Sequence, residues 1–576
     1  MNVNTFLKTA ILASLLYLPT LNVQATTQDN QLYSFAEIYT EALLDATQPY
    51  AYYIDLPLER HNKFIDNTPE GQVKLEKMED ELLSELLSLD SQNLPNEKAK
   101  IFYAKLLEAL ESSIDKRICK SELWNVNHMD SPHAVLGALI YIQPLESEQN
   151  KQDALERWLD AAKYYPQEVS NLRNGLKLGY SAPKRVVERV IKQLKQLTLI
   201  DINDHPYMQL AKRANDKDFE QSFAKLLKNE LLPAMIKYSD YLKSEYLPKA
   251  RVELGISVLP NGRDCYIAQY RSNTTLKKTP EQVYELGLKT VNQNKQRVRE
   301  LGKAIYGTSS FEDAVTKANL DASQKFSNDA ELHAFYVAVV ERSKIKTKEA
   351  FGRMPIIELE VEAIPDYQQG TGISAHYVQG NNERTAKFAY DPTNFANENF
   401  GTAEIVSVHE GYPGHHQQIA LMQEQKNFHP IEAAFANSAY AEGWARYSEA
   451  LAEELNIYQS KSAKILRRSW PARGMVADTA LHVLGWSNEK VAAYIKESGN
   501  PAVSNDTDAM LDRMAVLPAQ LTSYDSGGLE IFALRAEYKK IHGKKYDIKE
   551  FHQLILKNGN VPLSLLREQV LKQSND

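Results

Sequence analysis

The chain has 576 residues, a formal net charge of −8 and a pI near 6.0, and 43% of its residues are hydrophobic. This length exceeds one ordinary domain and favours about three or four hydrophobic cores, or one large helical body with lobes. The acidic balance, without long runs of like charge, argues against nucleic acid as a partner and is compatible with small or peptidic substrates.

The first 25 residues have the features of a secretory signal peptide. Lys8 precedes an apolar run from about residue 10 to residue 21, and residues 23–25 form a small-x-small cleavage pattern. The run is shorter than the ~20 residues that a membrane-spanning helix needs, and Pro19 interrupts it. We therefore predict export with cleavage, a periplasmic or secreted location and no stable membrane insertion. The segment contains no Cys, which argues against a lipid anchor.

Beyond this segment, most of the chain has the periodicity of amphipathic helices. In residues 73–90, Leu and Met recur at spacings of three and four, with acidic residues and lysines between them. Thr279-Pro280-Glu281 opens a later stretch of this kind with an N-cap residue and a Pro at the first helical position. We predict a mainly α-helical protein, with an N-terminal lobe over about residues 26–250 and a second lobe over about residues 251–576.

Cys119 and Cys265 are the two cysteines of the chain. In an exported protein they could form one disulfide, but their separation in space cannot be read from the sequence. They cannot supply a cluster of thiolates, so any metal site must be built from His, Asp and Glu.

Residues 353–394 depart from the helical pattern. Residues 353–365 alternate in polarity and are rich in Ile and Val, and residues 368–394 place Gly turns between short strand-like pieces. We predict a small antiparallel sheet immediately before the most distinctive motif of the chain.

That motif is VSVHEGYPGHHQQIA, residues 406–420. It begins like the zinc-protease signature H-E-x-x-H, in which two His one helical turn apart bind the metal and the Glu acts as base. Pro413 occupies the place of the second His. Thr402 is the predicted N-cap of the helix that contains His409 and Glu410.

Pro413 and Gly414 can distort the helix so that a later His takes the place of the missing ligand. Pro cannot donate the helical hydrogen bond and displaces the carbonyl one turn earlier, and Gly lets the backbone bend. A bulge that absorbs two residues would bring His415 to the place of the second His. His416 is the alternative ligand, because in an undistorted helix it lies nearly on the same face as His409.

A catalytic zinc needs a third protein ligand and an open position. Glu442 lies in a predicted helix that begins near Ser438, and in gluzincin proteases the third ligand is a Glu at about this separation on the following helix. Gly443 lowers helix propensity and therefore indicates a close approach at this point. Three acids farther along can be explained as a solvated helix face: Glu449, Glu453 and Glu454.

Four segments together are similar to one bacterial family, the domain of unknown function 885. They are HEGYPGHHQQ, YAEGWARYSE, LPAQLTSYDSGGLEIFALR and LPNGRDCYIAQYRSNTTLKKTPEQVYELGL. The resemblance spans nearly all of the chain after the signal peptide. It implies a helical, deep-clefted metallopeptidase-like body related to the angiotensin-converting-enzyme and oligopeptidase group, with the metal site in the second lobe.

The resemblance also implies roles for individual residues. His409, His415 and Glu442 would bind Zn²⁺, and Glu410 would act as base. Tyr524 would stabilise the oxyanion.

Two further points concern the surroundings of these residues. In the related peptidases the substrate lies along an edge strand just before the metal-binding helix, and GISAHYVQG fits that place, with His376 and Tyr377 as substrate contacts. Ala519 stands where the family pattern usually has Gly.

The sequence therefore predicts a zinc metallopeptidase that acts on short peptides outside the cytoplasm. One alternative is a metal-dependent hydrolase of a non-peptide ester or amide, since the same chemistry attacks any polarised carbonyl. The other is a non-catalytic periplasmic binding protein on the same fold. Glu410 argues against the second alternative, because a binding protein has no evident need for a base beside the metal.

Overall fold

The computed structural model describes residues 27–365, 369, 375–381, 384–425, 429–435, 437–500, 503 and 505–572. The predicted signal peptide lies outside the described residues, as do the first three residues of the segment GISAHYVQG.

The protein is mainly α-helical, as predicted. Its helices in chain order are α1 Thr27–Ala46, α2 Pro69–Ser88, α3 Glu97–Lys116, α4 Pro132–Ile142, α5 Glu148–Lys177, α6 Lys184–Thr198, α7 Met208–Arg213, α8 Lys217–Leu226, α9 Leu232–Tyr241, α10 Gly262–Thr274, α11 Pro280–Tyr306, α12 Phe311–Leu320, α13 Asp329–Thr347, α14 Phe400–Glu410, α15 His415–Gln423, α16 Ser438–Glu454, α17 Ala463–Leu466, α18 Arg473–His482, α19 Asn488–Lys496, α20 Thr507–Val516, α21 Gln520–His542, α22 Ile548–Leu556 and α23 Leu563–Lys572. None of the helices in the described part of the chain has the length and apolar character needed to cross a bilayer.

Polar side chains at the N-termini account for where several helices begin. The Thr279 hydroxyl accepts a hydrogen bond from the Gln282 amide, and the Gln282 side chain accepts one from the Thr279 amide, which completes a capping box at the start of α11. The side chains of Thr68 and Asn96 cap α2 and α3 in the same way. A cap of this kind is worth about 1 kcal/mol, and the predicted helix start at Thr279-Pro280 is confirmed.

The helices bury separate hydrophobic cores. One core surrounds Trp158 of α5 and draws its buried side chains from residues 64–246. Another surrounds Trp444 of α16 and includes residues of α21, α22 and α23. The division into two lobes near residue 250 stays a prediction.

Two links join the N-terminal helices to later ones. Cys119 and Cys265 form a disulfide, with their Cα atoms 4.7 Å apart, so the pairing that the sequence left open is made. Asp512 of α20 is buried and forms ion pairs with Arg185 and Arg189 of α6. Both links cross between segments that are far apart in sequence, and they fix the relative positions of those helices.

The sheet contains strands β1 (Leu359–Ala363), β2 (His376–Val378) and β3 (Ala386–Tyr390), in the order β1-β3-β2. β2 pairs with β3 in antiparallel fashion, but β1 pairs with β3 in parallel, so the prediction of a purely antiparallel sheet is wrong. A short connection forces β2 and β3 to be antiparallel, whereas the longer connection after β1 lets the chain cross the sheet. The alternation of polar and apolar side chains predicts that a segment is a strand, but it does not predict which strand pairs with it or in which direction. β2 lies at an edge, as GISAHYVQG was predicted to do.

Helices α16 and α21 approach so closely that their backbones touch. A Cβ atom on Gly443 would lie 2.5 Å from the Gly527 Cα atom and 2.6 Å from the Gly528 nitrogen. Only a residue without a side chain fits there. Gly443 is therefore required by packing, as its place inside a predicted helix indicated.

We expect Gly443→Ala to lower the free energy of unfolding by about 2 kcal/mol or more, because neither backbone can yield without moving its helix. Gly137 in α4 is the matched control, since a Cβ there would have no neighbour within 4 Å. Gly137→Ala should leave stability unchanged or raise it by up to about 1 kcal/mol. Thermal unfolding followed by circular dichroism gives both values, and equal stability of the two variants would contradict the close packing.

Candidate metal centre

Helix α14 carries His409 and Glu410 in its last turn and ends at Glu410. Its N-cap is Asn399, whose Oδ1 accepts a hydrogen bond from the Thr402 amide 3.0 Å away. The prediction that Thr402 caps this helix is therefore wrong. Asn and Thr are both capping residue types, and the extended backbone of Asn399 places the helix start one turn earlier.

A tight turn follows α14 and leads directly into α15, which begins at His415. A Cβ on Gly414 would lie 2.0 Å from the His409 carbonyl oxygen and 2.3 Å from that of Val408, so only Gly fits as the chain passes these carbonyls. The predicted bulge inside one continuous helix is thus a break between two helices. The break brings His415 close to His409, as the bulge was predicted to do, and their imidazole rings lie 4.8 Å apart and perpendicular.

Helix α16 holds this turn in place. The Trp444 indole donates a hydrogen bond to the Pro413 carbonyl oxygen at 2.9 Å, and the Ser448 hydroxyl donates to the same oxygen at 3.1 Å. Both side chains are fully buried. The turn that positions His415 is consequently fixed by the same helix that carries Glu442.

Three potential ligand atoms converge at this point. Glu442 Oε2 lies 3.4 Å from His409 Nε2 and 3.5 Å from His415 Nε2, and the potential ligand atoms of the three residues all lie within 4.8 Å of one another. Bonds of 2.0–2.2 Å to one tetrahedral ion would separate neighbouring ligands by about 3.3–3.6 Å.

The hydrogen bonding of Glu442 fits such an ion as well. Its Oε2 atom is buried and has no hydrogen-bond partner among the described residues. The imidazole nitrogens of the two histidines lie 3.4 and 3.5 Å from it, and a cation between the three groups would satisfy this oxygen. The group of His409, His415 and Glu442 could therefore hold a metal ion.

His416 points away from this group. Its Nδ1 atom lies 3.3 Å from the Tyr377 hydroxyl, and its ring packs edge-on against Tyr412. Burial lowers the pKa of His416 to about 4, so its imidazole is neutral at physiological pH. Of the two candidates for the second ligand, His415 is the one that the fold brings to His409 and Glu442.

Glu449 is the principal site residue that sequence reasoning missed. Instead of lying on a solvated face, its side chain is 2% exposed, and its Oε1 lies 2.9 Å from His409 Nδ1. Arg446 Nη1 holds the same carboxylate with contacts of 2.7 and 3.0 Å. A carboxylate on Nδ1 fixes the proton there and leaves Nε2 free for a metal. The available signal was its spacing of seven residues from Glu442, which places both acids on one helix face.

The other two acids of that group have ordinary partners. Glu453 pairs with Arg467 and Arg468, and Glu454 pairs with Arg535 while its side chain stays 50% exposed. The solvated-face interpretation therefore describes Glu454, whereas Glu453 is largely covered.

Burial and neighbouring charges shift several pKa values at the site. Burial opposes a charge on His409, but Glu442, Glu449 and Glu410 outweigh it and raise its pKa to about 10. Burial would also raise the pKa of Glu442, but His409 and His415 reverse this and hold it well below the usual range. Burial raises the pKa of Glu410, with partial compensation by the two histidines. Positive charge on His409 and the negative charge of Glu442 thus stabilise each other, and a bound cation would serve the same carboxylate.

Tyr524 lies near the three potential ligands, in the first turns of α21. Its ring is 6.5 Å from the His409 ring and nearly parallel to it, and its hydroxyl accepts a hydrogen bond from Arg513 at 3.3 Å. Burial and the charge of Glu442 raise the pKa of Tyr524 to about 12. Ala519, immediately before α21, has a φ of 66°, a left-handed backbone conformation that favours Gly.

The two predicted substrate contacts lie on the edge strand β2. His376 is exposed and close enough to Glu410 to lower its pKa. Tyr377 is half-buried, with its hydroxyl against His416. Their roles stay predictions.

A cavity of about 440 Å³ adjoins the site. His409, Glu410 and Glu449 contribute to its wall, and its other lining residues include Arg467 and Trp470. The described lining does not include Tyr524. A molecule in this cavity would contact the predicted base and one predicted ligand directly.

The fold and the site define a mainly helical protein with a His-His-Glu group that could hold a metal ion. The chain belongs to the family described as "Bacterial protein of unknown function (DUF885)", whose model matches residues 39–570. The resemblance drawn from the four motif segments is thereby confirmed.

Two solved structures share the fold. One is "the putative lipoprotein from Colwellia psychrerythraea", with a TM-score of 0.86 and 20% identity over 95% of this chain and 99% of that chain. The other is "a putative lipoprotein of unknown function from Shewanella oneidensis", with a TM-score of 0.73 and 18% identity over 94% of this chain and 99% of that chain. No curated protein has a matching sequence. At these identities the likeness shows the fold alone.

Proposed function

We propose that this protein is a zinc-dependent peptidase that hydrolyses short peptides outside the cytoplasm. The observation that carries the proposal is the convergence of His409, His415 and Glu442 next to Glu410, which lines a cavity. Two imidazole nitrogens and one carboxylate oxygen suit zinc and leave a coordination position for water or substrate. When bound, zinc would supply a Lewis acid that polarises the scissile carbonyl and favours ionisation of water near neutral pH.

The residues around the metal would handle the protons and the developing charge. Glu410 takes a proton from the attacking water and delivers it to the leaving amine. The raised pKa of its buried carboxyl favours this uptake. Tyr524 donates a hydrogen bond to the oxyanion, a contact worth about 3 kcal/mol. Its pKa of about 12 keeps the hydroxyl protonated at neutral pH.

The edge strand β2 would align the peptide. An exposed strand edge offers backbone groups to an extended chain, and neighbouring side chains add selectivity. We assign this contact to His376 and Tyr377. The cavity volume of about 440 Å³ suits a ligand of a few residues rather than a folded protein.

A location outside the cytoplasm is supported by two observations. The Cys119–Cys265 disulfide is typical of oxidising compartments. The two solved structures reported above are each titled "putative lipoprotein", a class of protein anchored outside the cytoplasm.

The proposal is tested by measuring the zinc content of the purified protein and by mass spectrometry of a mixed peptide library incubated with it. We expect about one zinc per chain, cleavage of short peptides, loss of cleavage with a chelator and recovery on adding zinc. The positions of the cuts give the cleavage mode.

Zinc-loaded protein that leaves every peptide intact would show that peptidase activity is wrong. Esters and non-peptide amides are then the next substrates to assay. Absence of both zinc and cleavage would favour the binding-protein alternative.

A further inference from the structure

One part of the cavity wall carries more positive charge than its neighbours neutralise. Arg467 contacts Glu453 Oε2 through Nε at 2.9 Å and Nη2 at 2.8 Å. Arg468 Nη1 contacts the same oxygen at 2.8 Å. Two guanidinium groups thus share one carboxylate, and one of their two positive charges is not neutralised by it.

Arg467 is the member of this pair that faces the candidate active site. It lines the cavity together with His409 and Glu410, whereas Arg468 is not part of the described lining. In the part of the chain that the structure describes, Arg467 Nη1 has no hydrogen-bond partner. The adjoining Trp470 and Pro471 provide apolar surface.

Other charged groups of the cavity either have a partner within the protein or are partly neutral. Arg446 is paired with Glu449 at 2.7 Å, and Asp391 accepts hydrogen bonds from the Thr393 amide and hydroxyl. Burial raises the pKa of Glu398 to about 7, so its negative charge is reduced at neutral pH. Arg467 differs from Arg446 in the described lining because a second guanidinium shares its carboxylate partner, which leaves positive charge available for an anionic group.

We infer that Arg467 binds a carboxylate of the peptide that enters this cavity. The inference rests on the proposed function and makes Arg467 a specificity-determining residue. A guanidinium recognises a carboxylate through paired hydrogen bonds, and a partly buried site strengthens them. The carboxylate belongs either to the C-terminus of the peptide or to an acidic side chain.

Binding is measured by isothermal titration calorimetry with zinc-loaded Glu410→Gln, which holds peptides without cutting them. The three ligands are a pentapeptide with a free C-terminus, its C-terminal amide, and an amide that carries one Glu. We expect at least one carboxylate-bearing peptide to bind about 10-fold or more tightly than the plain amide. The stronger of the two identifies the source of the carboxylate.

Arg467→Met in the same background should abolish that preference while leaving the affinity for the plain amide unchanged. Arg535→Met is the matched control, because it removes a guanidinium that pairs with Glu454 on the same helix, outside the described cavity lining, and should keep the preference. Arg467→Lys, which retains a charge, should keep part of it. Thermal unfolding of each variant confirms that it is folded.

Equal binding of all three peptides, or a preference that survives Arg467→Met, would overturn the inference alone. Absence of any peptide binding would overturn the inference and the proposed function together. Carboxylate preference without cleavage by wild type would contradict the peptidase but support the role of Arg467. Cleavage by wild type without any preference for a carboxylate would support the peptidase and contradict the role of Arg467.

Discussion

Glu410→Gln is expected to lower kcat for peptide cleavage by about 10²- to 10⁴-fold, the contribution usual for a general acid–base group. Gln has the size of Glu but cannot take up a proton. Glu410 is not one of the three potential ligands, so bound zinc should stay the same. The measurement combines steady-state kinetics on a peptide from the library with metal analysis of the same preparation.

Glu398→Gln is the matched control for this change. Glu398 lines the same cavity, and burial raises the pKa of its carboxyl as it does for Glu410, but Glu398 lies outside the group of potential ligands. Its variant should retain kcat within a few-fold. If Glu410→Gln keeps full activity, or if both variants lose activity equally, Glu410 is not the base.

His415→Ala is expected to weaken zinc binding by more than about 100-fold, because even indirect partners of a ligand are worth 10- to 100-fold. His416→Ala should leave the zinc affinity unchanged, since the His416 imidazole contacts Tyr377 and Tyr412 instead. Competition with a chromophoric chelator gives both affinities. The opposite result, loss of zinc in the His416 variant alone, would refute the ligand assignment.

The same titration tests the carboxylate behind His409. Glu449→Gln is expected to weaken zinc binding by about 10- to 100-fold, because an amide holds the imidazole less firmly in the required tautomer. Glu453→Gln on the same helix should have no effect, since its carboxylate binds Arg467 and Arg468. An unchanged affinity for Glu449→Gln would mean that its hydrogen bond to His409 does not tune the site.

Much of the fold could be predicted because its signals are local. Thr279 and Gln282 form their capping box within four residues, and the periodicity of residues 73–90 matches α2. The N-cap of α14 was misplaced because Asn399 and Thr402 carry equivalent local signals, and only tertiary packing chooses between them. The parallel pairing of β1 with β3 depends on how the chain connects the strands, and the alternation of polar and apolar residues carries no information about that connection.

The candidate site was predicted where a spacing rule or a distorting residue pointed to it. Gly414 indicated a bend in the backbone and Gly443 a close approach, and the structure has a tight turn at Gly414 and touching helices at Gly443. Glu449 was missed because a carboxylate on a helix resembles any solvated acid until its partner is known. Its partner, His409, lies on another helix, so the contact exists only in three dimensions. Arg467 was missed for the same reason.

Trp444 ties the Pro413 carbonyl to the helix that carries Glu442, so hydrogen bonds within the protein hold the frame around the three potential ligands. Small zinc modules gain their folding free energy from the metal and unfold without it. A metal ion held by His409, His415 and Glu442 would therefore need to order little backbone. Under the proposed function we expect a chelator to remove zinc without unfolding the protein, and we expect the surrounding helices to set the zinc affinity.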